Sequence, residues 1–242
     1  MTLNYAHRGA SGYYPENTMP AFIKAVEMGC DGIETDVQMT KDGVLVLIHD
    51  ETVNRTTGGI GFVKDFMYRE LCRLDAGAWF AREFSGAKVP TAEELLLLAK
   101  DTGIWINFEI KTGIVQYEGI EEKLIDLIHR YGWQDRVILS SFNHYSMVRV
   151  KEIAGSIKTG LLYMEGLYKP ARYAKSTGAD ALHPYFYALN EEVVREIKAE
   201  GLLINPFTVN DSAVMGQLLQ LGVDGIITNY PDKLRAIAEG FR

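Results

Sequence analysis

The sequence predicts an α/β fold, a (β/α)8 TIM barrel with a hairpin and a small capping insertion after the second strand. The chain has 242 residues, 47% of them hydrophobic, which suits one large core and is close to the ~250 residues of a typical αβ barrel. Short apolar runs alternate with segments of helical periodicity along the whole chain. This repeated alternation favours a closed parallel barrel, and an open doubly wound sheet stays the alternative.

The barrel strands are predicted where short runs rich in β-branched and aromatic residues occur, and the helices where apolar residues recur with helical spacing. Most helical segments end near a glycine, which suits a helix C-terminus. The predicted strands are 3–6, 32–37, 104–110, 136–140, 158–163, 179–183, 202–207 and 224–228. The predicted helices are 19–28, 92–100, 119–131, 144–153, 170–176, 191–200, 212–221 and 231–239.

A further apolar run, 44–49, follows the second strand too closely for a helical crossover, so it predicts an antiparallel hairpin. The Asp-Gly pair at 42–43 is typical of a two-residue type I′ turn, and closing on it places Asp36 opposite His49. Glu34 points to the same face as Asp36 because side chains alternate along a strand. The hairpin therefore predicts one cluster of Glu34, Asp36 and His49.

Segment 51–90 fits no barrel element. It is rich in glycine, arginine and aromatic residues, and loops of this length in compact folds are usually functional. We interpret it as an inserted subdomain that caps the mouth of the barrel. No interdomain linker stands out elsewhere, so residues 1–242 are predicted to form a single domain.

Charge and composition exclude several classes of partner. A net charge of -7 predicts a surface that repels nucleic acid and anionic lipid, so an anionic substrate needs a local cation at its site. No apolar run reaches the ~18 residues of a membrane span and the start of the chain lacks a secretory signal, so we expect no stable membrane insertion and a cytoplasmic protein. Cys30 and Cys72 match neither a zinc site nor a disulfide framework. Homo-oligomer formation is left open.

Polar side chains gather at the C-terminal ends of the first three barrel strands, where αβ barrels build their active sites. Acids packed together there repel one another, and a bound metal is the simplest compensation. A ligand set made of oxygen favours Mg²⁺ or Ca²⁺ over zinc, although ion pairs with nearby lysine and arginine are the alternative. The residues at these ends are His7, Arg8, Glu34, Asp36, His49, Glu109 and Lys111.

The histidines and cations of this group suit chemistry at phosphorus. Histidine as a residue type titrates near neutrality, so His7 and His49 are candidates for a general base and a general acid, with a buried, hydrogen-bonded ring as the alternative for each. Arg8 offers forked contacts to phosphate oxygens and Lys111 a point charge, unless both only pair with carboxylates.

These residues occur in runs that resemble the glycerophosphodiester phosphodiesterase family. The resemblance extends over nearly the whole chain. The runs are His7-Arg8-Gly9, Pro15-Glu16-Asn17-Thr18, Gly32-Ile33-Glu34-Thr35-Asp36-Val37, Thr40-Lys41-Asp42-Gly43, His49-Asp50, Arg55-Thr56-Thr57, Glu109-Ile110-Lys111, Ser140-Ser141-Phe142, Thr208-Val209-Asn210 and Asp224-Gly225-Ile226-Ile227-Thr228-Asn229-Tyr230-Pro231.

The resemblance implies a role for each site residue. His7 and His49 would be the acid-base pair. His183 and Phe207 would line the substrate pocket, Phe207 standing where family members commonly carry tryptophan. The implied metal ligands are Glu34, Asp36 and Glu109, and the implied phosphate ligands are Arg8 and Lys111.

The function expected from these residues is metal-dependent hydrolysis of glycerophosphodiesters to glycerol 3-phosphate and an alcohol by histidine general acid-base catalysis. A phospholipase D-like enzyme that acts on lysophospholipids or sphingolipids is the nearest alternative. A barrel lyase or aldolase, in which Lys111 forms a Schiff base, leaves the histidines without a joint role. A barrel that binds phosphodiesters without cleaving them is a further alternative.

Overall fold

The computed structural model describes residues 2–241. The first and last residues of the predicted 1–242 domain lie outside that range. The strands are β1 Leu3–His7, β2 Gly32–Met39, β3 Leu45–Leu47, β4 Trp105–Ile110, β5 Val137–Ser141, β6 Lys158–Tyr163, β7 Ala181–Pro184, β8 Leu203–Ile204 and β9 Gly225–Thr228. The helices are α1 Met19–Glu27, α2 Tyr68–Leu71, α3 Ala92–Thr102, α4 Ile120–Tyr131, α5 His144–Ile153, α6 Pro170–Thr177, α7 Glu191–Ala199, α8 Ser212–Leu221 and α9 Pro231–Glu239.

The strands other than β3 form a parallel sheet that closes into a barrel. Ladders connect them in the order β8-β7-β6-β5-β4-β2-β1-β9. Two backbone hydrogen bonds span the remaining gap, from Asp224 N to Ile204 O at 2.9 Å and from Ile227 N to Pro206 O at 3.0 Å. The predicted barrel is confirmed, because an open doubly wound sheet would leave these edges apart.

The hairpin between β2 and β3 forms, but its predicted register is wrong by one residue. Val37 pairs with Leu47, and Asp36 O accepts a hydrogen bond at 3.1 Å from the N–H of Ile48, so Asp36 does not lie opposite His49. A one-residue shift moves every side chain of a strand to its other face, so the shift bears directly on where His49 points.

The turn chemistry explains the shift. The Thr40 N–H donates to Val44 O at 3.0 Å, and the Thr40 hydroxyl accepts from Val44 N at 3.0 Å and donates to Asp42 at 2.7 Å. Thr40 and Val44 therefore close the hairpin around a three-residue loop. Gly43 takes the left-handed conformation, at φ 81°, that such a loop requires of its last residue.

Segment 51–90 packs a small core of its own onto β3. The side chains of Val46 and Ile48 lie on one face of the hairpin and those of Leu45 and Leu47 on the other. Leu45 and Leu47 join the main core between strands and helices. The buried residues of the small cluster are Val46, Ile48, Val53, Val63, Leu71, Ala76 and Val89. The insertion is thus anchored beside the C-terminal end of β2.

The helices surround the barrel and bury one face each. In α4, the longest at 12 residues, Leu124, Ile125 and Ile128 are buried whereas Lys123 is exposed. None of the helices in residues 2–241 combines the length and the apolar character needed to cross a bilayer.

Candidate active site

A group of carboxylates meets at the C-terminal ends of β2 and β4. Glu34, Asp36 and Glu109 each offer an oxygen that lies within 4.8 Å of the others. They meet because the parallel register places Asp36 beside Glu109, while Glu34 lies two residues earlier on the same face of β2. All of them are buried, at 5%, 1% and 7% exposure respectively.

Burial and mutual repulsion raise the pKa of some of these acids. Burial, then Asp36 and Glu109, raises the pKa of Glu34 well above its usual range. Burial also raises the pKa of Glu109, although Lys111 opposes it. The pKa of Asp36 is instead lowered below its usual range, because the charges of Arg8 and Lys111 outweigh the effect of burial. The acids therefore resist sharing the site as anions without further positive charge.

The donor set fits a divalent cation. Within the described residues, Glu34 Oε2 and Asp36 Oδ1 are buried and have no hydrogen-bond partner, and such oxygens are rare in folded proteins. Lys111 Nζ lies 2.8 Å from Glu109 Oε1 and 3.6 Å from Asp36 Oδ1, so local ion pairing compensates only part of the charge. Buried, unpaired carboxylate oxygens are the ligands that Mg²⁺ and Ca²⁺ prefer.

His7 ends β1 and faces the acids with its Nε2 atom. Its Nδ1 lies 2.6 Å from Asn229 Oδ1 and its Nε2 lies 3.9 Å from Glu34 Oε2. An amide oxygen only accepts, so Nδ1 carries the proton and Nε2 keeps its lone pair. Burial, assisted by Arg8, lowers the pKa of His7 to about 4. The ring is therefore neutral at pH 7, with an unprotonated nitrogen toward the site.

His49 reaches the same site in spite of the shifted register. The Gln38 side-chain amide donates to the carbonyls of residues 48, 49 and 50 at 3.2, 3.0 and 2.6 Å, so the chain turns out of the strand there. His49 lies near Glu109. Burial is the main influence on the pKa of Glu109 and raises it, whereas His49 acts to lower it. His49 Nδ1 lies 2.7 Å from Asp50 Oδ1. A carboxylate oxygen only accepts, so Nδ1 carries a proton and the contact orients the ring.

Arg8 and Lys111 flank the acids, as predicted. Arg8 has a positive φ of 55°, and its Nε lies 3.2 Å from Asp36 Oδ2. A left-handed arginine is uncommon and costs about 1–3 kcal/mol, so the surrounding structure must hold it in place. The Asn17 N–H does so by donating to Arg8 O at 3.0 Å, while the Asn17 amide donates to Asp36 Oδ2 at 2.8 Å.

The structure brings to the site further residues that had no predicted role. They hold the predicted residues in place: Asn229 at His7, Asp50 at His49, and Asn17 at Asp36. Each lies in one of the motif runs, which was the available signal. The contact between Asn229 and His7 joins segments 222 positions apart and could not be derived from spacing. Two more, Glu16 and Arg55, connect these groups.

His183 is not placed as the resemblance implied. It lies inside the barrel with 0% exposure, its Nε2 3.0 Å from Asn205 Nδ2 and its Nδ1 3.5 Å from Asn107 Nδ2. The strand beside it carries Gly160, where a Cβ would approach His183 Nε2 to 2.6 Å. Full burial argues against direct contact with the substrate and for a structural role beneath the pocket.

Replacing His183 by asparagine is expected to make the fold less sensitive to acid. Burial lowers the pKa of His183 from 6.5 to about 3, so between these values the unfolded chain holds a proton that the folded chain lacks. Falling pH therefore favours unfolding, by about 1.4 kcal/mol per pH unit for this group. Between pH 6.5 and pH 4.5, the free energy of unfolding measured by denaturant titration should fall by about 2 kcal/mol less in His183→Asn than in the wild type.

The control for this measurement is His129→Asn, because His129 lies exposed on α4. It should leave the pH dependence of unfolding unchanged. An equal slope in the His183 variant would show that this ring already carries its proton in the folded protein at pH 4.5.

Phe207 contributes to an aromatic wall across the mouth from the acids. Its ring centroid lies 5.8 Å from that of Phe142 and 6.0 Å from that of Tyr185. Both contacts are edge-on, the geometry that aromatic pairs prefer. Phe142 is 44% exposed, so the wall presents apolar surface to whatever occupies the mouth.

Comparison with known families decides the classification. A sequence model described as "Glycerophosphoryl diester phosphodiesterase family" matches residues 7–233. The chain belongs to this family. The resemblance predicted from the motifs is thereby confirmed, together with the enzyme class that it names. The matched range includes every site residue described above.

Relatives in the glycerophosphoryl diester phosphodiesterase family match along almost their whole length. A glycerophosphodiester phosphodiesterase of Caldanaerobacter subterraneus subsp. tengcongensis is 51% identical over 233 residues, which is 96% of each chain. One from Bacillus altitudinis is 43% identical over 242 residues, covering 99% of each chain. The family assignment therefore applies to the chain as a whole.

Solved structures of the glycerophosphoryl diester phosphodiesterase family share the fold. A phosphodiesterase of Oleispira antarctica, in complex with the product sn-glycerol-3-phosphate, superposes with a TM-score of 0.90 at 30% identity, covering 97% of this chain and 96% of that one. A putative family member from Silicibacter pomeroyi gives a TM-score of 0.91 at 26% identity, covering 100% and 94%.

Proposed function

We propose that this protein hydrolyses glycerophosphodiesters to glycerol 3-phosphate and an alcohol, using a divalent metal and histidine general acid-base catalysis. One observation carries the proposal: His7 and His49 lie beside the same buried acids, and an oxygen atom holds the Nδ1 atom of each ring. His7 Nδ1 donates to Asn229 Oδ1 and His49 Nδ1 donates to Asp50 Oδ1, so Nε2 is the remaining nitrogen of each ring for proton transfer. Family membership and the product bound by the Oleispira phosphodiesterase support the substrate class.

The acids and cations together would bind the phosphate. A divalent cation held by Glu34, Asp36 and Glu109, Mg²⁺ or Ca²⁺, would supply Lewis-acid stabilisation of the charge that develops on the phosphate oxygens. Arg8 and Lys111 lie beside those acids and would bind phosphate oxygens directly, Arg8 with its planar fork and Lys111 as a point charge. Such preorganised charge is often the largest contribution to catalysis.

The two histidines divide the proton transfers. His7 is neutral at pH 7 and would remove a proton through Nε2 from the nucleophile, which is water or, where a cyclic phosphate forms first and water then opens it, the glycerol 2-hydroxyl. His49 would protonate the oxygen of the leaving alcohol, with its ring oriented by the contact between Nδ1 and the Asp50 carboxylate. Hydrolysis then proceeds with one proton taken on one side of phosphorus and one given on the other.

Lys111 does not suit the Schiff-base alternative. Burial lowers its pKa, but Asp36 and Glu109 outweigh burial and hold the pKa above the usual range. An amine that stays protonated at neutral pH is a poor nucleophile. This favours the role of Lys111 as a phosphate ligand over that of an aldolase lysine.

A second candidate is a lipid phosphodiester, and the exposed apolar side chains of segment 51–90 favour it. Ile60 is 85% exposed, Phe62 42% and Trp79 40%. Exposed apolar surface beside an active site is typical of enzymes that take substrate from a lipid aggregate. The overall net charge of -7 weighs against anionic lipid, so a zwitterionic lysophospholipid is the form of this candidate to test.

The proposed function is tested by incubating the protein with glycerophosphocholine, glycerophosphoethanolamine and lysophosphatidylcholine. Glycerol 3-phosphate should appear from the soluble esters in Mg²⁺ or Ca²⁺, stop on addition of EDTA, and return when the metal is restored in excess. Choline release from lysophosphatidylcholine at a higher kcat/KM would favour the lipid candidate. Release unaffected by EDTA would contradict the metal requirement.

A further inference from the structure

Arg55 joins two carboxylates from different loops. Its Nη1 and Nη2 donate to Glu16 at 2.9 and 2.8 Å, and its Nε and Nη2 donate to Asp50 at 2.8 and 2.9 Å. Both contacts are forked. Glu16 lies between β1 and α1, Asp50 follows β3, and Arg55 belongs to segment 51–90. A single guanidinium therefore connects three separate parts of the rim.

Each of these carboxylates also holds a residue of the site. Glu16 Oε1 accepts from Arg8 Nη1 at 2.8 Å, and Asp50 Oδ1 lies 2.7 Å from His49 Nδ1. A continuous chain of hydrogen bonds thus runs from Arg8 through Glu16, Arg55 and Asp50 to His49. Its two ends are the residue proposed to bind phosphate and the residue proposed to protonate the alcohol.

We infer that Arg55 is a positioning residue that fixes Arg8 and His49 relative to one another. The inference rests on the proposed function, because it assumes that these two residues act on one phosphodiester. Through Arg55, segment 51–90 would also help to assemble the site, although Arg55 makes its contacts with Glu16 and Asp50 and not with the proposed metal ligands. Misplacement of a reacting group by about 1 Å can cost 10²-fold in rate, so fixing this separation matters.

The contacts of Arg55 predict a larger effect on activity than on stability. Its side chain is 44% exposed, and ion pairs at such exposure contribute little to folding. Its forks nevertheless define the orientation of two carboxylates, which a lysine cannot do because an ammonium is a point charge. Arg55→Lys should therefore fold normally and still behave like Arg55→Met in catalysis.

The matched control is Arg149→Met. Arg149 is 55% exposed and also faces two carboxylates, Glu122 at 2.5 Å and Glu152 at 3.9 Å, but it lies on α5 away from the acid cluster. If Arg55 were only a surface ion pair, the two variants would behave alike.

Kinetics in Mg²⁺ with two esters provide the first readout. With glycerophosphocholine, Arg55→Met should lower kcat about 10–100-fold and raise KM, whereas Arg149→Met should change neither. With the p-nitrophenyl ester of glycerol 3-phosphate, whose leaving group needs no proton, the loss in kcat should shrink to about threefold while the rise in KM persists. Equal losses in kcat with both esters, or normal kcat and KM, would overturn the inference.

A second readout does not depend on turnover. The His49 Nδ1 proton, assigned in ¹⁵N-edited NMR by comparison with His49→Gln, should be protected from exchange in the wild type and in Arg149→Met but lost in both Arg55 variants. An unchanged signal in those variants would overturn the inference. A wild type that cleaves neither ester would contradict the proposed function instead, and the NMR result would still decide whether Arg55 positions His49.

Discussion

His49→Ala is expected to lower the turnover of glycerophosphocholine by about 10²–10⁴-fold, the usual contribution of one positioned acid or base. The Nδ1 atom of the ring is held by Asp50 at 2.7 Å, and His49 is the proposed proton donor to the leaving alcohol. Alkoxide is a poor leaving group, so loss of the proton donor should appear in kcat. Stopped assays of released glycerol 3-phosphate measure it.

His7→Ala should produce a loss of similar size for a different reason, and leaving-group chemistry separates the two. His7 is proposed to activate the attacking hydroxyl, which every ester requires, so His7→Ala should stay slow with the p-nitrophenyl ester. His49→Ala should recover most of its kcat with that ester, because p-nitrophenolate leaves without a proton. The opposite pattern would exchange the two roles, and near-normal rates in both variants would show that neither histidine is catalytic.

His129→Ala serves as the control for both variants, because His129 is exposed on α4 and outside the site. Thermal unfolding should be compared across all three variants. His7 is half-buried and its Nδ1 is bonded to Asn229, so its removal is expected to loosen the end of β1. A kinetic effect therefore counts only where the variant retains the wild-type unfolding transition.

The barrel and most of its site were predictable because they depend on local patterns. Strand ends place polar side chains at the rim whatever the details of packing, which is why Glu34, Asp36 and Glu109 were found by alternation alone. The parallel register then brings Asp36 beside Glu109. No long-range contact had to be guessed for this cluster.

The hairpin register was wrong because one side chain changed the turn. Asp-Gly favours a two-residue loop, but the Thr40 hydroxyl binds both Asp42 and Val44 and closes a three-residue loop. His49 nevertheless stays at the site, because Gln38 holds the carbonyls that follow β3. The prediction that placed His49 with the acids thus used a register that does not occur, and the Gln38 contact was not visible in the spacing.

The connecting residues could not be predicted for a related reason. Asn229 reaches His7 across 222 positions of the chain, and Arg55 reaches Glu16 across 39. Such pairs depend on how closure of the barrel brings distant loops together. The burial of His183 was not predictable either. It depends on the close approach of Gly160 on the neighbouring strand β6, which no sequence pattern reveals.

Glu34→Gln is the second substitution with a large expected effect. It should lower activity, but it should not lower the stability of the metal-free protein. Glu34 is buried and repelled by Asp36 and Glu109, so replacing it with a neutral amide should leave the metal-free protein as stable as the wild type or raise its Tm. The same change removes one ligand from the proposed metal site. Activity should fall by about 10²-fold or more, because a metal contributes several kcal/mol to stabilisation of the transition state.

Thermal unfolding with and without metal provides the decisive comparison. A ligand present at 100 times its Kd stabilises the folded state by about 2.7 kcal/mol, so saturating Mg²⁺ or Ca²⁺ should raise the Tm of the wild type measurably. The Glu34 variant should show little of that rise. Glu152→Gln, which alters a carboxylate on the surface of α5, should retain it. If neither cation changes the Tm of the wild type, Arg8 and Lys111 alone compensate the negative charge of the acids. The metal-dependent mechanism would then have to be abandoned.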